Sequence, residues 1–228
     1  MSKFVELARV VSDGVGYTLG LFFATVVMSI PLGFVLTLAR TGRSKVLKGI
    51  TSAYVWVMRG TPLLLQLFFF YYGLTFIPGI GKYLAMGRMQ AAILAFTLNY
   101  AAYFCEIFRG GLLAIEKGQY EAAKVLGFSK VQTFFRIVMP QLLRVTLPSV
   151  SNEVITLVKD TALVTAIGVT EILYFAKGAV NRMVDASAYI VAALFYLLMN
   201  FAVTKLFDWL EKRYSYMDMA RSRRRRDQ

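Results

Sequence analysis

The chain has 228 residues, 57% of them hydrophobic, with a mean hydropathy of +0.57 and a formal charge of +13. Soluble domains hold about 45–50% apolar residues, so the excess excludes an ordinary water-soluble globule and points to lipid as the solvent. The charge does not indicate nucleic acid: five arginines sit in the last eight residues (Arg221, Arg223, Arg224, Arg225, Arg226), and most other cations flank apolar runs, where membrane proteins keep cytoplasmic positive charge. With no histidine and one cysteine, Cys105, inside an apolar run, the chain offers neither a disulfide framework nor a zinc site.

The first apolar run, residues 15–38, carries no charge over 24 positions and makes about 36 Å of helix. It is too long for a cleaved signal peptide, and the segment before it mixes Lys3 and Arg9 with Glu6 and Asp13. A second passage runs from Ala53 to Ile77 and is kinked or restarted at Arg59-Gly60-Thr61-Pro62, where Thr61 suits an N-cap and Pro62 a first helical position. Residues 89–108, about 145–168 and 187–209 supply three more spans. Five spans put the termini on opposite sides. The expected fold is one all-α integral membrane domain over residues 1–228, with no sheet signal, internal repeat or linker.

Charge orients it. Arg40, Arg43, Lys45 and Lys48 follow the first span. Arg109, Lys117, Lys124, Lys130, Arg136 and Arg144 lie between the third and fourth, and Lys212, Arg213 and the arginine cluster follow the fifth. The other two loops are sparse (Lys82, Arg88) or balanced (Lys177 and Arg182 against Glu171 and Asp185). The bias places the tail in the cytoplasm and the N-terminus outside. The arginine tail itself suits anionic lipid headgroups.

Between the third and fourth spans the grease gives way to "EAAKVLGFSKVQTFFRIVMPQ" (121–141). A first helix from about Leu112 to Leu126 ends at Gly127, a natural left-handed cap, and a second from about Phe128 to Val138 ends before Pro140. Phe128, Val131, Phe134, Phe135 and Val138 recur at helical spacing, leaving Lys130, Gln132, Thr133 and Arg136 outward. Beside Glu121, the small Ala122 and Ala123 would let another surface approach the backbone. The residues alone leave two readings open, a plug for a partner's groove and an amphipathic interfacial helix.

Glu121-Ala122-Ala123, three residues, Gly127, nine residues, then Ile137-Val138-Met139-Pro140 resembles the EAA loop of ABC importer permeases, with Met139 in place of leucine. "RGTPLLLQLFFFYYGL" (59–74), "NYAAYFCEIFRGGL" (99–112) and "NEVITLVKDTALV" (152–164) are similar to segments of the polar amino-acid branch, in order over roughly residues 15–210. The resemblance implies a type I permease working as a homodimer or beside a sister permease. Its loop at about 110–141, with Glu121, Ala122, Ala123 and Gly127, would form the coupling helix that docks on an ABC ATPase subunit, two copies per transporter. An extracytoplasmic solute-binding protein would deliver a polar amino acid. The chain has no GxxxxGK[ST] phosphate loop, so ATP hydrolysis would belong to the partner and no cofactor is expected.

A transport path should show as polar residues where lipid rejects them. Thr146, Ser149, Glu153, Thr156 and Asp160 follow at steps of three and four on one stripe of the fourth span, with the two carboxylates about 10 Å apart along the axis. A substrate cation is a natural partner for them. Lys159, on another side, would answer an α-carboxylate or pair with a neighbour, and Asn99 would donate and accept at similar depth. The alternative is that Glu153, Lys159 and Asp160 neutralise one another or a dimer mate. Glu106 and Arg109, three apart, read as an ion pair, and Phe68–Tyr72 as packing and interfacial anchoring. An ATP-independent channel would also explain charges on a helix face, but it gives no reason for the hairpin. A membrane enzyme would need convergent catalytic groups that are missing.

The charge bias predicts that reporters fused at Ser2 and after Gln228 report opposite sides, the second cytoplasmic. Finding both ends on one side would refute five spans.

Overall fold

A computed structural model describes residues 3–226, with side chains only as far as Tyr214, so the arginine cluster's side chains and the end residues Ser2 and Gln228 lie outside the described set. The described residues are helical and hold no strand. In chain order the helices are α1 (Lys3–Ser12), α2 (Val15–Thr41), α3 (Lys45–Gly60), α4 (Leu63–Tyr71), α5 (Gly81–Leu84), α6 (Arg88–Ala114), α7 (Lys117–Val125), α8 (Lys130–Thr133), α9 (Met139–Asp160), α10 (Ile172–Met183) and α11 (Ser187–Arg226). Three stretches are long and apolar enough to cross a membrane: Lys3–Thr41, Arg88–Ala114 and Ser187–Tyr214. Two bent pairs, α3 with α4 at 106° and the α9 region with α10 at 55°, bring the total to five if each pair is one span.

The centre is α6. Its face of Ala92, Ala95, Phe96, Tyr100 and Phe104 is buried, with Leu21 and Phe22 of α2, Leu67 of α4 and Val154, Leu157 and Val158 of α9 in one core. Lipid gives no hydrophobic drive between helices, so close packing of small residues has to hold them. Gly33 supplies that on α2: a Cβ there would fall 2.6 Å from the Phe104 Cβ and 2.9 Å from the Ala101 carbonyl oxygen. Four residues on, the Thr37 hydroxyl lies 2.8 Å from Gly33 O and 3.1 Å from Cys105 O, so it donates along its own helix and across to α6.

Both bends are closed by buried polar side chains. At the first, Thr61 Oγ1 donates to Val57 O at 2.8 Å, and Gln66 Nε2 lies 2.9 Å from Met58 O and 2.7 Å from Thr61 Oγ1. Asn99 Nδ2 reaches across from α6 to Met58 O and Gln66 Oε1, both at 3.0 Å. Thr61 is therefore the C-cap of α3, and Pro62 precedes α4, which starts at Leu63 without a side-chain cap. The expected N-cap is corrected because the freed carbonyls of α3, rather than the amides of α4, take the nearby hydroxyl.

At the second bend Glu171, fully buried, accepts from Tyr174 N at 2.7 Å and from the hydroxyls of Thr165 and Tyr196. It had read as a loop charge; instead it caps α10 from inside the protein. Nearby, α1 packs Leu7 and Val11 against α10 and α11. Lys3 Nζ sits 2.5 Å from Asp185, and that ammonium, helped by the Ser187 N–H, holds the Asp185 carboxyl at about 2.

The hairpin differs from expectation in three respects. α6 ends at Ala114, so the first helix of the hairpin starts only at Lys117. The second does not stop at Pro140: a π turn over Phe134–Val138 carries α8 into α9, and the proline follows directly on that turn, where its missing N–H removes one bond from a helical path that nevertheless continues. The extra residue of the π turn also rotates the apolar face. Val138 is buried, whereas Val131 and Phe135 are 66% and 62% exposed instead of packed.

Replacing Gly33 with valine should overpack the α2–α6 contact, at about 1–3 kcal/mol. That outweighs a gain in helix propensity of under about 1 kcal/mol. The purified variant in detergent should melt at lower temperature than wild type; equal melting would show that the close approach is dispensable.

Candidate functional site

The break between α3 and α4 positions the principal cavity. Because the chain turns by 106° after Gly60, the end of α3 opens a space of about 560 Å³ against α6 and α9. Asn99, Tyr100 and Tyr103 line it from α6, Glu153, Thr156 and Asp160 from α9, and Arg59 to Leu63 from the break. Asp160 Oδ2 accepts from the Tyr100 hydroxyl at 2.7 Å. Glu153, half-buried about 10 Å along the helix from Asp160, has no hydrogen bond or ion pair among the described residues.

Of the predicted path residues, the cavity thus collects Asn99, Glu153, Thr156 and Asp160. Lys159 is exposed and lies off it, and no ion pair joins Lys159 to either carboxylate among the described residues. Asn99 is 4% exposed, and its amide nitrogen donates to Met58 O and Gln66 Oε1 at the break, so its donor is spent on the fold. The lower part of the stripe is corrected. Thr146 is buried against Gly111 of α6 and bonds Leu142 O at 2.8 Å, and Ser149 does not line the cavity. The α6–α9 crossing at Gly111 buries Thr146, while Ser149 is exposed away from the cavity.

Next to this cavity lies a second of about 340 Å³, lined by Arg40, Ser52, Trp56, Arg59, Gly60 and Glu106. Arg109 binds Glu106 through Nε at 3.1 Å and Nη2 at 2.7 Å, the expected pair. Arg40 also contacts Glu106, and Arg59 stands 3.9 Å away.

On the hairpin, α7 ends in a Schellman motif. Gly127, at φ +74, donates to Lys124 O at 3.1 Å, and Phe128 N donates to Ala123 O at 3.0 Å. Ser129 and Gln132 then form a capping box at the start of α8. Glu121 and Ala122 are exposed, but Ala123 is fully buried against its own chain. Of the expected pair of alanines offered to a partner, only Ala122 is exposed. A notch of about 560 Å³ beside it is lined by Tyr120, Lys124, Phe128, Lys130 and Phe134 among others.

Sequence reasoning missed Tyr100 and Tyr103 as lining residues and treated Arg59 only as part of a break. A signal was present: Asn99 and Tyr103 are four apart, so they share a face of α6.

Residues 29–216 match the family described as binding-protein-dependent transport system inner membrane component. The chain is 38% identical over 204 residues to the octopine transport system permease protein OccM of Rhizobium radiobacter, covering 87% of this chain and 83% of that one. It is 35% identical over 206 residues to the L-cystine transport system permease protein TcyB of Bacillus subtilis, with 90% and 86% covered. To the histidine/lysine/arginine/ornithine transport system permease protein HisM of Salmonella typhimurium it is 34% identical over 207 residues, 88% of each. A chain in the crystal structure of an amino acid ABC transporter with histidines superposes with a TM-score of 0.83 at 30% identity, over 92% of this chain and 96% of that one. With most of its length matched, this multi-pass membrane protein belongs to the family of inner membrane components of binding-protein-dependent transport systems.

Proposed function

We propose that this chain is the transmembrane subunit of an ATP-driven importer of polar amino acids, and that the cavity between α3, α6 and α9 lies on the solute's path. One observation carries the reading: Glu153 and Asp160 face a polar cavity, and among the described residues neither makes an ion pair. Two half-buried carboxylates on one wall carry a desolvation cost that a counter-charge relieves. An amino cation arriving with the solute offsets that cost, and Arg59 stands on the same wall for its carboxylate. Thr156 adds a hydroxyl, while Lys159, outside the cavity, is left to a neighbouring chain or the solvent. Three relatives are named for octopine, L-cystine, and histidine, lysine, arginine and ornithine, all of which carry an amino cation and a carboxylate.

The hairpin supports the partner reading. Val125 and Leu126 beside Gly127 are 87% and 71% exposed, more apolar surface than a basic, water-facing turn would keep uncovered. We assign this surface, with Glu121 and Ala122 at its edge, to an ABC ATPase subunit, one for each of two permease copies. A solute-binding protein serves the opposite face, with the N-terminus outside and the tail in the cytoplasm. A channel would leave the hairpin without a purpose.

Charge removal tests the path. A hydrogen bond to a charged group is worth about 1.5–3 kcal/mol, so Glu153→Gln or Asp160→Asn should lower ATP-driven uptake roughly ten- to a hundredfold while the complex still assembles. Poor assembly with normal uptake per complex would instead make the carboxylates structural.

The hairpin is tested separately by Gly127→Val. A β-branched residue is strained at φ +74, so the turn should distort. The variant should keep its binding-protein contact and lose ATP-coupled uptake. Uptake at the wild-type rate would refute the docking assignment.

A further inference from the structure

The two polar cavities share a wall, and that wall is Arg59 with Gly60. On one side stand Glu153 and Asp160; on the other stand Arg40 and Glu106, toward the basic loop after α2. Three arginines surround Glu106, but not equally. Arg109 is bonded twice and Arg40 is in direct contact, so the carboxylate's oxygens are taken. Arg59 is the third, at 3.9 Å, too far for a hydrogen bond. Its guanidinium makes no hydrogen bond among the described residues and rests instead over the Tyr103 ring, 5.2 Å from the centroid. Its side chain is 43% exposed, against 20% for Arg40 and 34% for Arg109. It is also the last side chain of α3 before Gly60, where the helix ends and the backbone turns away.

A cation so placed is a barrier to any other cation that leaves the acidic cavity for the second one, because like charges repel strongly where little water screens them. The barrier is also movable. A ring face, a long ion pair with Glu106 and the attraction of Glu153 across the cavity hold it without a hydrogen bond among the described residues, and a side chain at the end of a helix can swing without disturbing the backbone bonds that Gln66 and Asn99 secure. We propose that Arg59 is a charge gate between the two cavities. Seated on Tyr103 beside Glu106, it keeps a cationic solute in the acidic cavity, and swung aside it lets the solute pass. The proposal rests on the cavity being part of the solute's path.

The test is a leak measurement on the complete transporter, assembled with its ATPase and reconstituted in liposomes. With tetramethylammonium, a permanently charged cation, loaded inside and no ATP present, vesicles carrying Arg59→Ala should lose the probe at least tenfold faster than wild type. Arg59→Lys, which keeps a cation over the ring, should stay near the wild-type rate. Tyr103→Leu removes the seat without touching the charge and should also leak; it serves as the second variant if Arg59→Ala does not assemble. Assembled Arg59→Ala or Tyr103→Leu complexes as tight as wild type would overturn the gate, as would Arg59→Lys leaking as fast as Arg59→Ala. The transport reading fails by a different result, wild-type vesicles that take up no polar amino acid when supplied with ATP and a binding protein.

Discussion

In lipid a backbone carbonyl that loses its helical partner finds no water to replace it. This chain breaks a helix at Gly60, within a membrane passage, and everything around the cavity depends on how the loose carbonyls are recovered. Two buried amides and a hydroxyl do it: Gln66, Asn99 and Thr61 converge on Val57, Met58 and Thr61 itself. An unsatisfied buried polar group costs about 1–3 kcal/mol, so the set outweighs the chain's preference for an unbroken helix. Because Asn99 belongs to α6, the same bonds pin the break to the central helix and open a space beside it.

The second bend repeats the solution with an acid. Glu171 takes an amide and two hydroxyls and so completes the start of α10 beneath α1 and α11. At Gly33 and Gly111 neighbouring helices approach so nearly that a methyl group would collide. The crossing at Gly111 buries Thr146 on the lower part of the α9 stripe, whereas Glu153, Thr156 and Asp160 on the upper part line the cavity.

The hairpin and the cavity are connected by one element. The π turn carries α8 into α9 without a break, and α9 then runs from Met139 to Asp160, about 33 Å, ending at the cavity. The helical path from the exposed turn at Gly127 to the cavity is thus continuous, with Pro148 inside it. The Gly111 contact with Thr146 lies on that path and provides a pivot against α6.

The spans were legible from residues because lipid demands about 20 apolar positions per crossing, and this demand is local. The EAA spacing was legible for a similar reason, since Gly127 alone suits the left-handed cap that shapes the turn. Glu153 and Asp160 stood out as charges in grease, and their seven-residue spacing sufficed to place them on one face. Their surroundings were not legible. Whether Lys159 paired with them, whether Asn99 was free, and whether Thr61 capped the helix before or after it all depended on how three helices cross. Periodicity ranks faces within one helix and carries no information about distances between helices. Arg59 shows the limit best: in sequence it is one more cation before a turn, and only the approach of α6 and α9 sets it beside Tyr103 and Glu106, between two cavities.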